Sequence, residues 1–146
     1  MNTKSIIAIA SDHAGYSLKE AIKKHFETFG YDFHDFGTFS EESVDYPDFA
    51  HELGQAVQKG DFERGITLCG SGNGISMAVN KHNGVRAALC WNAEIAELAR
   101  KHNDANVCSL PARFVSEEDA FNIVNAFLNT DFEGGRHQRR VEKISL

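Results

Sequence analysis

The sequence is poor in the features that most often direct a functional reading. It has three cysteines, Cys69, Cys90 and Cys108, an odd set with no Cys-x-x-Cys pair. That pattern argues against a disulfide framework and a zinc ribbon, so reduced thiols are expected. No His-x-x-x-His pair with an acidic partner occurs, and ligand spacing therefore gives no expectation of a metal. Long apolar runs are missing too. Ile6, Ile7 and Ile9 make a stretch too short for a signal-peptide core or a membrane span, and a cytoplasmic location is expected. Positive charge is in deficit, with 15 Lys and Arg against 21 Asp and Glu, a net charge of −6. Such a balance disfavours nucleic acid or an anionic membrane as partner.

Known loop signatures are also absent. Gly70-Ser71-Gly72-Asn73-Gly74 reads Gly-x-Gly-x-Gly, which is not the Gly-x-Gly-x-x-Gly dinucleotide fingerprint, and no Gly-Lys-Ser/Thr ending makes it a P-loop. The residue two before Ser71 is Cys69, so the Gly-x-Ser-x-Gly elbow of a hydrolase is missing as well. No cofactor is expected.

What remains is one ordinary domain over residues 1–146, with 42% hydrophobic content, enough to bury a core. Short β-branched or apolar runs at Ser5–Ala10, Tyr31–Phe36, Gly65–Cys69, Val85–Cys90 and Asn106–Leu110 predict strands. Between them, residues 16–29, 48–59, 76–80 and 92–103 carry apolar side chains at helical spacing, and a further helix follows Ser116. Asn92 and Ser116 are candidate N-caps. Strands alternating with helices predict a doubly wound, Rossmann-like α/β fold, a five-stranded parallel sheet with helices on both faces. The segment 37–47 is left as a long loop of the kind that often carries function. After Gly134-Gly135 the chain packs Arg136, Arg139, Arg140 and Lys143 into a basic tail that the sheet does not need. That tail is free to reach a second subunit.

In such sheets ligands bind beyond the carboxyl ends of the strands. Asp12 and His13 follow the first strand there, Cys69 to Gly74 the third, and Arg113 the fifth. Cys69, directly before the glycines, is where backbone dipoles favour a thiolate, and the glycine loop offers a nest of N–H groups for one small oxyanion. Cys90 and Cys108 are expected to be buried and inert. Of seven histidines, His25, His34, His51 and His82 are left as background. His102 stands out because His102-Asn103-Asp104 ends a helix among polar groups able to fix its tautomer.

These residues resemble a known family. Ser11-Asp12-His13-Ala14-Gly15, Asp45-Tyr46-Pro47, Cys69-Gly70-Ser71-Gly72-Asn73-Gly74, Asn80-Lys81, Arg100-Lys101-His102-Asn103-Asp104-Ala105-Asn106 and Gly134-Gly135-Arg136-His137-Gln138-Arg139-Arg140 are similar to motifs of the type B ribose-5-phosphate isomerases. The wider family includes galactose-6-phosphate and allose-6-phosphate isomerases. The resemblance implies a metal-independent aldose–ketose isomerase of the pentose phosphate pathway, working through a cis-enediolate. By that likeness Cys69 is the base between C1 and C2, and Gly70, Ser71, Gly72, Asn73 and Gly74 hold the enediolate. His102 then assists ring opening, while Asp12, His13, Tyr46 and Asn103 contact the phosphosugar. Arg113, Arg136 and Arg140 bind its phosphate. The family's site lies between two subunits, which implies at least a homodimer and leaves a tetramer open. One branch replaces the cysteine by a glutamate just after the glycine loop. Here that position is Ile75, as in the cysteine branch.

Overall fold

The computed structural model describes residues 6–146. Along the chain run β1 (Ile6–Ser11), α1 (Tyr16–Glu27), β2 (Asp32–Asp35), α2 (Tyr46–Gln58), β3 (Gly65–Cys69) and α3 (Asn73–Val79). They are followed by β4 (Ala87–Leu89), α4 (Ala93–Asn103), β5 (Val107–Pro111), α5 (Glu117–Asn129) and α6 (Arg136–Glu142). The expected first strand included Ser5, which lies outside the described residues.

All strand pairs are parallel, in the order β2-β1-β3-β5-β4. Parallel neighbours require crossovers, and the helices supply them. The two-residue period of the strands sorts the core into two layers. Ile7, Ile9, Ile66, Leu68, Cys108 and Leu110 pack under α1, α4 and α5 against Ile22, Phe26, Ala96, Ile123 and Phe127. Ala8, Ala10, Cys69 and Val107 face α2 and α3, with Ala50, Leu53, Ile75 and Val79. Small residues on this second face let α2 lie close. A Cβ on Gly65 would stand 3.1 Å from Leu53.

Local chemistry explains most helix ends. Asn92 Oδ1 accepts from the Ile95 N–H at 2.9 Å, and Ser116 Oγ from the Asp119 N–H at 3.1 Å, each satisfying an orphan donor of the first turn. Pro47 sits in the first turn of α2, where its missing N–H costs nothing. Most elements shift by one or two residues from the sequence expectation, and three differences are larger. The helix after the glycines starts at Asn73 instead of residue 76, because Gly72 already makes the turn with a left-handed φ of 77°. β4 is shorter than the apolar run because it is an edge strand pairing only with β5. The basic tail is not loose chain but α6, which docks against α4 and buries Val141.

Candidate active site

β1 has β2 on one side and β3 on the other, so the connections leave in opposite directions and open a crevice at the carboxyl edge between β1 and β3. Asp12 and Cys69 stand on its two sides. Asp12 is buried; its N–H is donated to the Leu68 carbonyl at 3.2 Å, and its Oδ1 accepts from the Gly15 N–H at 3.1 Å. His13 Nδ1 accepts from the Val44 N–H at 3.2 Å. An accepting Nδ1 leaves the proton of the neutral ring on Nε2, so His13 is a donor on its free side.

The loop that brings Val44 there is anchored at its start. Ser11 N–H donates to the Gly37 carbonyl at 2.7 Å, and Thr38 N–H to that of Ser11 at 2.8 Å. Asp35 accepts from the Gly37 N–H at 2.8 Å and from Lys23 at 2.9 Å, and it also pairs with the fully buried Lys19. Burial pushes the Asp35 carboxyl up, but the hydrogen bonds from Lys19, Lys23 and Gly37 outweigh it and hold the group below its ordinary value.

Cys69, 5% exposed, ends β3 with no disulfide partner. Beneath it on the same face the Thr67 and Ser109 hydroxyls satisfy each other at 2.8 Å. The glycines that follow are closely approached by side chains. A Cβ on Gly70 would lie 3.0 Å from Arg113 Nη1, and one on Gly74 would lie 2.5 Å from the Tyr46 ring. The Arg113 backbone is tied to the loop, its main-chain N–H donating to the Gly70 carbonyl at 3.0 Å, while the Ala112 N–H reaches the Cys69 carbonyl at 2.9 Å. Ser71 and Asn73 are exposed, and Ser71 Oγ accepts from the Asn73 N–H at 3.3 Å. Asp12, His13, Tyr46, Cys69, Gly70, Ser71, Gly72, Asn73, Gly74 and Arg113 thus gather at one edge. The other two thiols, Cys90 and Cys108, are fully buried. Hydrogen bonding with Cys90, then burial, push the Cys108 thiol well up.

The remaining predicted residues are elsewhere in the same chain. α4 runs back across the sheet and ends just before Val107, which pairs with Gly65, the first residue of β3. Cys69 lies four residues further along that strand, about 13 Å at the usual strand rise. His102 and Asn103 are therefore at the amino edge of the sheet, and Asn103 helps line a groove there with Asn80, Arg86 and Ile144. Arg136 and Arg140 belong to this edge through α6, and both are exposed. Within one chain, Cys69 and His102 therefore stand at opposite edges of the sheet.

Sequence reasoning gave no separate role to His137. Its ring stacks on His102 at 4.2 Å between centroids and 15° between planes, and its Nε2 lies 3.5 Å from Glu133 Oε1. Loss of solvent, then His102 and Arg136, hold His137 below its ordinary value against the pull of Glu133. One nitrogen of each histidine and a Glu133 oxygen lie within 4.8 Å of one another. Stacked rings keep their in-plane lone pairs parallel, however, so this is not a chelating arrangement. The Glu-x-x-x-His spacing was the only sequence signal for it.

A parallel α/β sheet with a thiol, a glycine nest and an arginine at its switch point defines a class, the proteins that bind a small anionic ligand at the carboxyl edge. Within that class residues 7–144 match the Ribose/Galactose Isomerase family, and the chain belongs to it. It is 45% identical over 139 residues to ribose-5-phosphate isomerase B of Escherichia coli strain K12, covering 95% of this chain and 93% of that protein. A solved ribose 5-phosphate isomerase from Thermotoga maritima is 50% identical with a TM-score of 0.95, over 98% of this chain and 99% of its own. Ribose-5-phosphate isomerase B from Mycoplasma genitalium, solved with bound ribulose-5-phosphate, is 46% identical with a TM-score of 0.92 over 97% and 95%. Among the described residues no helix is long and apolar enough to cross a membrane.

Proposed function

We propose that this protein interconverts ribose 5-phosphate and ribulose 5-phosphate through a cis-enediolate. The observation that carries this is the thiol of Cys69 at the end of β3, directly before a glycine loop with the Arg113 guanidinium beside Gly70. A family relative holds ribulose-5-phosphate, in keeping with that chemistry.

Cys69 as thiolate takes the proton from C2 of the open-chain aldose and returns it at C1, while the proton of the C2 hydroxyl passes to the C1 oxygen and the carbonyl moves from C1 to C2. The backbone N–H groups of the 70–74 loop, with Ser71, meet the charge that develops on the enediolate oxygens, where donors aimed in advance are most effective. Asp12, the Nε2–H of His13, Tyr46 and Asn103 orient the sugar. Arg113, Arg136 and Arg140 hold the phosphate, a task suited to the planar guanidinium fork. His102 assists furanose opening, in which the bond between C1 and the ring oxygen breaks. That oxygen gains a proton, and the C1 hydroxyl loses one.

Because His102, Asn103, Arg136 and Arg140 are a strand length from Cys69 in one chain, the complete site takes the thiol edge of one subunit and the imidazole edge of another. A homodimer is the smallest assembly that supplies both. Exchange of the C2 hydrogen of ribose 5-phosphate with solvent tests the reading. It should occur in the wild type and vanish in Cys69→Ala; binding without exchange would leave only a phosphosugar sensor. Since the matched family spans ribose and galactose isomerases, kcat/KM on five- and six-carbon phosphosugars decides the substrate length.

A further inference from the structure

Asp104, which ends α4, is the one residue other than glycine with a positive φ among the described residues, at φ 48° and ψ 44°. That conformation is costly for most residues bearing a Cβ and is tolerated best by Asp and Asn; here the surroundings fix it further. Its N–H closes the helix on the carbonyls of Ala99 and Arg100. Both carboxylate oxygens are taken: Arg100 Nη1 donates to Oδ1 at 2.8 Å and Arg86 Nη2 to Oδ2 at 3.3 Å. Arg86 Nε reaches the Asp104 carbonyl as well, at 2.9 Å.

The two arginines are themselves fixed. Arg100 is 2% exposed and donates to the carbonyls of Ala105 at 2.8 Å and Thr130 at 3.0 Å. Arg86 N–H donates to Asn106 Oδ1 at 2.7 Å, and the Asn106 N–H returns to the Arg86 carbonyl at 2.9 Å. The Gly65 N–H in turn donates to the Asn106 carbonyl at 2.9 Å. Gly65 opens the strand that closes on Cys69. A third guanidinium, Arg64, feels this carboxylate: loss of solvent and Arg100 hold Arg64 below its ordinary value, and Asp104 opposes them. One carboxylate thus ties the end of α4 to the frame of the sheet among three positive charges.

We propose that Asp104 is a positioning residue for the ring-opening step. It fixes the last turn of α4 so that His102, two residues before it, presents one orientation to the substrate. Asp104 acts through His102 and not on the sugar. The proposal rests on the isomerase reading of His102 and adds what holds that imidazole in place.

Three variants separate this role from general support. Asp104→Gly keeps the left-handed backbone at no steric cost and removes the carboxylate. Asp104→Asn keeps one acceptor and the left-handed tolerance while removing the charge. Arg86→Met loosens one side of the clamp and leaves the Arg100 pair intact. Two rates are measured on each full-length protein: net conversion of ribose 5-phosphate, and exchange of solvent deuterium into C1 of ribulose 5-phosphate. The ketose is open-chain, so its exchange needs the thiol and the glycine loop but no ring step.

Asp104→Gly should lower kcat for ribose 5-phosphate by about 10- to 100-fold, the usual result of misplacing a reacting group, with C1 exchange near that of wild type. Asp104→Asn and Arg86→Met should fall between. In a His102→Ala background Asp104→Gly should cause no further loss, because groups acting as a unit are not additive. Parallel loss of conversion and exchange, a fully additive loss with His102→Ala, or unchanged conversion would each overturn the proposal alone. A wild-type protein inactive on ribose 5-phosphate would remove the isomerase reading, and this inference with it.

Discussion

His51 Nδ1 and His82 Nε2 lie 2.7 Å apart, one ring on α2 and the other just beyond α3. A bond that short between two imidazoles needs one ring nitrogen to donate and the other to accept, so the two rings cannot both be protonated. Burial, then the facing His51, hold His82 below the ordinary imidazole value of 6.5. The unfolded chain then binds protons more readily than the folded one. This contribution to stability is complete above pH 6.5 and is lost as pH falls through the lowered value. Melting temperature should drop as pH falls below 6.5, and the drop should be smaller in His51→Gln. An identical pH slope in both proteins would assign the acid sensitivity elsewhere.

Removal of the thiol should stop the chemistry and spare the fold. Cys69→Ala is expected to lose at least about 100-fold in kcat, the low end for a positioned base. Phosphosugar binding by calorimetry should stay within a few-fold. Substantial turnover in this variant would take the proton-transfer role from Cys69.

If the site is shared between two subunits as proposed, a mixing experiment is decisive. Cys69→Ala spoils the thiol edge of its own chain and His102→Ala the imidazole edge. On that reading each parent protein is inactive, yet a hybrid dimer retains one intact site. Random pairing should restore roughly a quarter of wild-type activity, since half the pairs are hybrids with one working site in two. Activity that stays at the level of the parents on co-refolding would show that both groups serve within one chain.

Phosphate anchoring can be read from the balance of kinetic constants. Arg113 sits at the thiol edge, Arg140 at the other. Loss of either should raise KM by about 10- to 100-fold, as for a charge-assisted hydrogen bond worth about 1.5–3 kcal/mol. An unchanged KM in one of them removes that residue from the phosphate site.

Two glycines with similar backbone separate strain from crowding. Gly60 has φ 85° with open space beside it, whereas a Cβ on Gly72, at φ 77°, would lie 2.5 Å from Leu89 Cδ1 and 3.1 Å from the Leu110 backbone. Gly60→Ala should cost only the left-handed penalty, about 1–2 kcal/mol. Gly72→Ala should cost clearly more in denaturant melts and also distort the loop; equal costs would mean the loop yields freely.

The legible parts of the sequence were those decided locally. β3 was bounded correctly because Gly65 to Cys69 is a run buried throughout between polar stretches. The caps at Asn92 and Ser116 follow from side chains bonding three residues ahead. What escaped was decided by contacts across the chain. The tail reads as a charged coil until it docks on α4, and the His102 to His137 stack joins residues 35 positions apart. A site shared between subunits was implied only by the family resemblance, because motif order carries no information about which edge of the sheet a helix end reaches.

The division of one chain into a thiol edge and an imidazole edge has a consequence for how the protein responds to dilution. Under the proposed reading each polypeptide keeps its own hydrophobic layers when separated from its partner, yet loses half of the groups that meet the sugar. Specific activity therefore follows mass action between subunits. It should fall on dilution while circular dichroism still reports the full complement of helices, and it should recover on concentration without any refolding.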